Sequence, residues 1–423
     1  MANYQLLSLS SSPTGQVLLK DMSLDPLLYN LQSSLPSMTK DKIQLPVTSN
    51  FAYGKKFDFA LPRYGLLAGI VLKTNLKLLE TTSVLTRNAS FVLVKSARIM
   101  SHSREISSLN YVQNYCMVSE QETSVKDTLR RVGLSDLSTG VAIAATNAGD
   151  VNMYTPIMFA ETTSGLGNLI DLSFVEPITV SIELCSALEI SRNSATAPVI
   201  NTSDCGLIVY YYSLDEASLR KYQDMQFDLS KPLSCLSYST YEESIVEVSI
   251  TSAATTGKFS GSALSQTLKF NVPNLVTCTR IAVVPEFDRG RFQPITAAEF
   301  FMNGRSVYKY SDNLETALEN ALFSVGGTNF TRSVNGSSVG ESAGGQDENV
   351  LSHYWNIQPD SKNMFSGGCS GKNVSNWSCN ITMAPYAATA STAYKFYIIV
   401  VHEYINIISY SGNSGKIAVS MSL

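Results

Sequence analysis

The sequence predicts an all-β protein built from two related halves, and three observations carry that prediction. The first is composition. The 423 residues are 44% hydrophobic but only 16% charged, with 58 Ser, 31 Thr and 27 Asn, against a charged share of ~25% in an average soluble domain. Ser, Thr and Asn compete for backbone hydrogen bonds inside a helix, whereas β-branched residues pack well on a pleated surface. The second is a long series of short segments rich in Val, Ile, Phe and Tyr, bounded by turn residues, as in a sandwich or barrel. The third is an ordered set of features that recurs half a chain later. A length close to twice the ~200–250 residues of one β sandwich agrees with two domains.

Taken in order, residues 1–50 hold several prolines and no sustained period. They read as an extended N-terminal arm with a short helical turn around Leu27–Leu31. Strands are expected at Lys55–Leu61, Leu66–Leu79, Ser90–Met100, Met153–Phe159, Leu169–Leu184 and Gly206–Ser213. A second series follows at Ser244–Ser252, Gln266–Val272, Thr277–Val284, Glu299–Tyr310, Val350–Ile357, Tyr394–Tyr410 and Lys416–Ser422. Helical signals are few. Ile106–Val118 has Ser107 or Ser108 as its cap, and Asp215–Gln223 leads toward Pro232 as the connection between halves. Asn313–Leu322 is capped by Ser311 or Asp312 and places Leu314, Leu318 and Leu322 on one face. The division is therefore an arm over 1–50, a first domain over 51–225 and a second over 226–423.

The repeat is specific in its order. Phe59-Ala60-Leu61-Pro62 is followed eight residues after its proline by Ile70-Val71-Leu72, and Phe270-Asn271-Val272-Pro273 is followed at the same spacing by Ile281-Ala282-Val283, 211 residues later. Each copy continues into a strand, a polar turn and a helical signal, through His102-Ser103 in the first and Asn303-Gly304 in the second. Asn-Gly is a strong hairpin signal because both residues tolerate positive φ.

This arrangement resembles the double jelly-roll major capsid proteins of adenovirus-like, tectivirus-like, virophage, polinton-like and large DNA viruses. The segments that carry the resemblance are FDFALPRYGLLAGIVLKTNLKL (57–78), MSHSREISSLNYVQNY (100–115), FNVPNLVTCTRIAVV (270–284), EFFMNGRSVYKYSDNLETAL (299–318) and YKFYIIVVHEYINIISYSGNSGK (394–416). It implies two tandem eight-stranded jelly rolls with a few short helices, and a homotrimer whose six lobes tile a shell pseudo-hexagonally. It further implies neighbouring capsomers, penton and minor capsid proteins as partners, a place in the virion, and compatibility with a membrane beneath the shell. The Gly/Ser/Asn-rich stretches 324–349 and 361–380 are expected as long outer loops of the second domain, with 121–150 a comparably long loop in the first.

Chemistry is sparse. The chain carries 31 Lys plus Arg against 35 Asp plus Glu, for a net charge of −4, and no basic run beyond Lys55-Lys56 and Arg130-Arg131. Sequence-specific grip on nucleic acid, which neutralises several phosphates with clustered cations, is not expected. The opening residues lack a cationic n-region and an unbroken apolar stretch, so the chain reads as made inside the cell and not membrane-spanning. His102, His353 and His402 lack companion ligands at metal spacing, and no phosphate-binding glycine loop, metalloprotease helix or dinucleotide motif occurs. Gly336-Ser337-Ser338-Val339-Gly340 matches a nucleophile elbow in letters only, since it lies inside a loop. The mixed cluster Glu286-Phe287-Asp288-Arg289-Gly290-Arg291 reads as a solvated loop or an intersubunit contact, and Glu242-Glu243 and Asp215-Glu216 as solvated acids. No catalytic, cofactor-binding or metal residues are assigned, and no enzyme activity is expected.

The seven scattered cysteines read mostly as small buried hydrophobes, with Cys369 and Cys379 able to be joined across their loop. Asn-x-Ser/Thr sequons stand at Asn88, Asn201, Asn329, Asn335, Asn373, Asn376 and Asn380, five of them in the expected outer loops. The aromatic runs Tyr210-Tyr211-Tyr212 and Tyr394–Tyr397 read as core and interface packing. An all-β glycan-binding or carbohydrate-active protein with two fused jelly rolls is the alternative from another class, and a single-roll vertex protein a third reading.

Overall fold

The computed structural model describes residues 38–77, 85, 88–102, 104–119, 150–157, 170–173, 176–190, 198–217, 219–220, 235–250, 264–272, 277–288, 291–292, 295–310, 351–355, 369–383, 392–411 and 416–421. The first half runs β1 (Met38–Pro46), β2 (Lys56–Ala60), β3 (Leu66–Lys77), α1 (Ala89–Leu93), β4 (Val94–Ser101), β5 (Arg104–Asn110), α2 (Tyr111–Ser119), β6 (Asp150–Ile157), β7 (Ile170–Asp171), β8 (Ile178–Leu184), α3 (Ala187–Ile190), β9 (Val199–Ile200) and β10 (Gly206–Leu214). The second runs β11 (Cys235–Ile250), β12 (Leu264–Phe270), β13 (Thr277–Asp288), β14 (Arg291–Phe292), β15 (Ile295–Met302), β16 (Arg305–Tyr310), β17 (Leu351–Tyr354), β18 (Cys369–Ser370), β19 (Trp377–Met383), β20 (Thr392–Ser411) and β21 (Lys416–Met421).

Two antiparallel sheets form in each half. In the first, the orders are β1-β10-β3-β6 and β2-β8-β4-β5; in the second, β11-β20-β13 with β17 also on β13, and β12-β19-β15-β16. Numbering the eight principal strands of each half along the chain gives the same pair of orders twice, 1-8-3-6 and 2-7-4-5. That interleaving of the two sheets is the jelly roll. The halves match in detail as well. The hairpins β4–β5 and β15–β16 both close on two residues, and each carries a register shift one step before the turn, between Ile99 and Met100 and between Phe300 and Phe301.

Each sandwich buries its own core. In the first, Phe59, Ala97, Ile99, Val180 and Ile182 of one sheet face Ile70, Leu72, Met153, Leu207 and Val209 of the other. In the second, Leu268, Phe270, Phe300, Trp377 and Ile381 face Cys278, Ile281 and Val283. The repeat seen in the sequence is thus a repeat of core positions: Phe59, Leu61, Ile70 and Leu72 in one lobe, Phe270, Val272, Ile281 and Val283 in the other.

Several expectations change. Within the span read as an arm, Met38–Pro46 is the edge strand β1, paired along its length with β10. Its alternating Ile43 and Leu45, with Val47 just beyond its end, pack on the first core, and Pro46 is tolerated because an edge strand needs no donor on its open side. Residues 1–37 lie outside the described residues. The strand expected at Ser90–Met100 begins as the helical turn α1, buried on all sides, so that its unbroken apolar run gave no period to read. The helix expected from Ile106 starts at Tyr111 instead, and its cap is Asn110. The stretch Leu169–Leu184 is interrupted around Pro177, leaving β7 and β8. Of the outer loop expected at 361–380, the part from Cys369 onward is β18, a 3-10 turn and the start of β19, with Trp377 and Cys379 buried. Their inward alternation was masked by the Gly, Ser and Asn around them. The helix at Asn313–Leu322, the stretches 121–149 and 324–349, and the Gly336–Gly340 match lie outside the described residues.

Candidate functional site

The described residues hold no group of three or more His, Cys, Asp or Glu placed to bind a metal ion. Of the histidines, His102 occupies the β4–β5 turn at φ 56, and His402 lies within β20, opposite Cys278 and Thr240. His353 is buried among aromatic rings, with centroids 5.0 Å from Phe300, 4.8 Å from Tyr308 and 4.5 Å from Trp355. Burial holds its imidazole down at about 4, so it is neutral at physiological pH and serves as a packing residue. Glu286 and Asp288 stand at the β13–β14 hairpin, and Glu242 and Glu243 are consecutive positions of β11. Glu216 pairs with Arg220 one helical turn on.

What the fold does build is an apolar contact between its halves. The helices on either side of the first-lobe hairpin, α1 before β4 and α2 after β5, supply it. Asn110 and Gln113 cap α2 reciprocally: the Gln113 N–H donates to Asn110 Oδ1 at 2.8 Å, and the Asn110 N–H donates to Gln113 Oε1 at 2.9 Å. Both helices are tied to their own lobe. The Asn114 side-chain amide donates to the Pro156 carbonyl at 2.8 Å, and the Thr155 hydroxyl to the Ser90 carbonyl at 2.9 Å. So anchored, Phe91 and Val92 of α1 and Tyr111, Val112, Tyr115, Cys116 and Val118 of α2 form one cluster with Ala282 and Val284 of β13 in the second lobe. Phe91 and Tyr115 meet edge to face at 5.7 Å. Strand β13 therefore buries both faces, Ile281 and Val283 in its own core and Ala282 and Val284 against the first lobe.

The matching face of the first lobe lacks such a cover among the described residues. Val71 and Lys73 of β3 stand where Ala282 and Val284 stand in β13, and both are half-buried. Val71 is in register with Ile208, and Gly69 with Tyr210, on β10. Tyr210 is 40% exposed, while Tyr211 turns inward against Tyr64, ring centroids 4.9 Å apart. The opposite sheets carry polar outer faces: Lys95 bonds Glu183 at 2.6 Å across β4 and β8, and Thr267 donates to Asn380 at 2.7 Å across β12 and β19. Of the sequons, Asn373 and Asn376 are exposed, whereas Asn88 is buried at the start of α1. Sequence reasoning missed the interlobe contact because the alternation along Ile281–Val284 is apolar at every position, and nothing local says what covers the second face.

No protein-family model and no curated protein matches the sequence. Solved structures do match by shape. The PBCV-1 virus capsid matches at a TM-score of 0.63 and 12% identity, over 93% of this chain and 98% of that one. PBCV-1 VP54, fitted into a reconstruction of the virophage Sputnik, matches at 0.58 and 14%, with the same shares covered. The Faustovirus major capsid protein matches at 0.55 and 10%, over 96% and 98%. Strand order, duplication and these likenesses agree: the chain has the double jelly-roll fold found in viral major capsid proteins.

Proposed function

We propose that the chain is the major capsid protein of an icosahedral DNA virus, a structural protein that acts by self-assembly and performs no catalysis. It forms a trimer whose six lobes tile the shell pseudo-hexagonally, and its other neighbours are further trimers, penton proteins and minor capsid proteins. Its place is the virion. The single observation that supports this reading best is the interlobe cluster. A first-lobe helix pair docks on the outer face of β13, while the equivalent β3–β10 face of the first lobe presents Val71 and Tyr210. A second lobe follows its own hairpin with the Leu314, Leu318 and Leu322 stripe in sequence. Placed on the β3–β10 face of the next chain, it makes a head-to-tail contact of the same kind. Head-to-tail contacts close into rings when the rotation allows, and three two-lobed chains give six lobes. In this reading 324–349 belongs to the outer loops and 1–37 to an arm at the base or between subunits.

The test is the solution mass of the wild type and of Val71→Glu and Tyr210→Glu, by size-exclusion chromatography with light scattering. The wild type is expected at three times the 46.0 kDa chain mass, and both variants as folded monomers with unchanged circular dichroism. A monomeric wild type, or variants that remain trimeric, would overturn the proposal.

A further inference from the structure

We propose that Cys278 and Cys369 are a latent cross-strand disulfide, open in reducing surroundings and closed by a small-molecule disulfide oxidant, that pins β18 to β13. The two are direct antiparallel partners in the ladder. Partners of this kind have Cα atoms about 4.5–5.5 Å apart, inside the roughly 4.4–6.8 Å span of disulfides. Their side chains share a face: Cys278 is fully buried in the second core and Cys369 packs against that same core. The structure holds both as thiols. The bond therefore needs rotation about side-chain torsions, with the strands staying where they are.

The alternative partner is poorly placed. Cys379 lies in the middle of β19, in the facing sheet, between Leu268 and Phe300. Facing sheets lie about 10 Å apart, too far for a bridge across the core. Cys116, Cys185 and Cys205 belong to the first lobe, and Cys235 opens β11 opposite Ile407 of β20, one strand beyond β20 and five positions along it from the His402 that faces Cys278.

Access and order of reaction follow from exposure. Cys369 is half-buried and Cys278 is not exposed. The Cys369 thiolate attacks an oxidised low-molecular-weight disulfide, forming a mixed disulfide and releasing one small thiol. The Cys278 thiolate then attacks the Cys369 sulfur and releases the second. The two protons given up by the cysteines pass through solvent to the two released thiolates, and the two electrons thereby reduce the oxidant to two thiols. Burial raises the Cys369 thiol above its ordinary value, which keeps the thiolate scarce and the pair quiet until oxidant is abundant. The closed bond bridges a loop of about 90 residues, which restricts the unfolded chain strongly.

The experiment treats the purified full chain with oxidised glutathione, counts thiols after denaturation and maps peptides without reduction. Seven thiols are expected to fall to five, with the Cys278 and Cys369 peptides linked and Tm raised by several degrees, a rise that dithiothreitol reverses. Cys369→Ser, at a half-buried position, is expected to fold normally, keep its remaining six thiols and show no oxidant-dependent rise; Cys278→Ala gives the same answer from the other strand. Retention of all seven thiols, Cys369 capped by glutathione alone, or a link from Cys369 to any other cysteine would overturn the proposal.

Discussion

Asn303 illustrates how much one side chain contributes to this fold. It sits at φ 51 with Gly304 at φ 77, the positive values that a two-residue hairpin turn needs. Its side-chain oxygen also accepts the Ser375 N–H at 2.9 Å and the Ser375 hydroxyl at 3.1 Å, tying the hairpin to the segment before β19. Replacing Asn303 by Ala removes those bonds and leaves at a left-handed φ a residue without the short polar side chain that makes that region tolerable for Asn, at a cost of about 2 kcal/mol. Chemical denaturation should show that loss, and Asn303→Asp should recover part of it. His353 makes a pH prediction. Its folded-state value of about 4 lies below the ordinary 6.5, so between these the unfolded chain binds a proton that the folded chain does not. Stability contributed by the neutral ring is complete above about pH 7 and falls as pH drops toward 4, by about 3 kcal/mol at most. Tm measured across that range should fall in the wild type and fall less in His353→Phe. A flat profile would contradict the burial account.

Among the elements, the α1–α2 pair has the largest consequences, because it joins two sandwiches that each have a core of their own. Tyr115 is buried against Phe91 at the centre of that joint. Tyr115→Ala should cost about 3 kcal/mol through the cavity it leaves. Calorimetry should then resolve two transitions, one for each lobe, where the wild type gives a coupled one. Gln113→Ala, which removes the Gln113 half of the reciprocal cap, should cost about 1 kcal/mol and leave the lobes coupled. These elements also show what a sequence can disclose. The repeat from Phe59 to Leu72 and from Phe270 to Val283 was legible because it is a pattern of core positions with a proline in register. The turn at Asn303-Gly304 was legible because its chemistry is local. The helices were harder: Phe91–Val94 is apolar without period, and the Asn110–Gln113 box competed with two nearby serines for the role of cap. The edge strand β1 hid behind Pro46, and the start of β19 behind its polar neighbours. The contact on β13 was illegible because its second face is covered by residues about 170–190 positions away in sequence.

At the scale of the whole molecule, low charge and a two-lobed shape belong together. Outer sheet faces are finished with hydroxyl and amide pairs such as Ser265 with Thr382 at 3.0 Å and Thr267 with Asn380, where a free monomer would more often carry ions. A subunit that meets copies of itself on several sides needs complementary, modestly polar surface more than repulsion. The two lobes already display one half of the proposed assembly inside a single chain, a helix pair of one lobe on the outer sheet of the next. Repeating that contact between chains turns two lobes into six. Assembly of this kind stands or falls on closure of a ring, which electron microscopy of the purified chain makes visible. Class averages of six-lobed, three-fold symmetric particles are expected at micromolar protein; isolated two-lobed particles at that concentration, or open chains of lobes that never close, would overturn the trimeric ring.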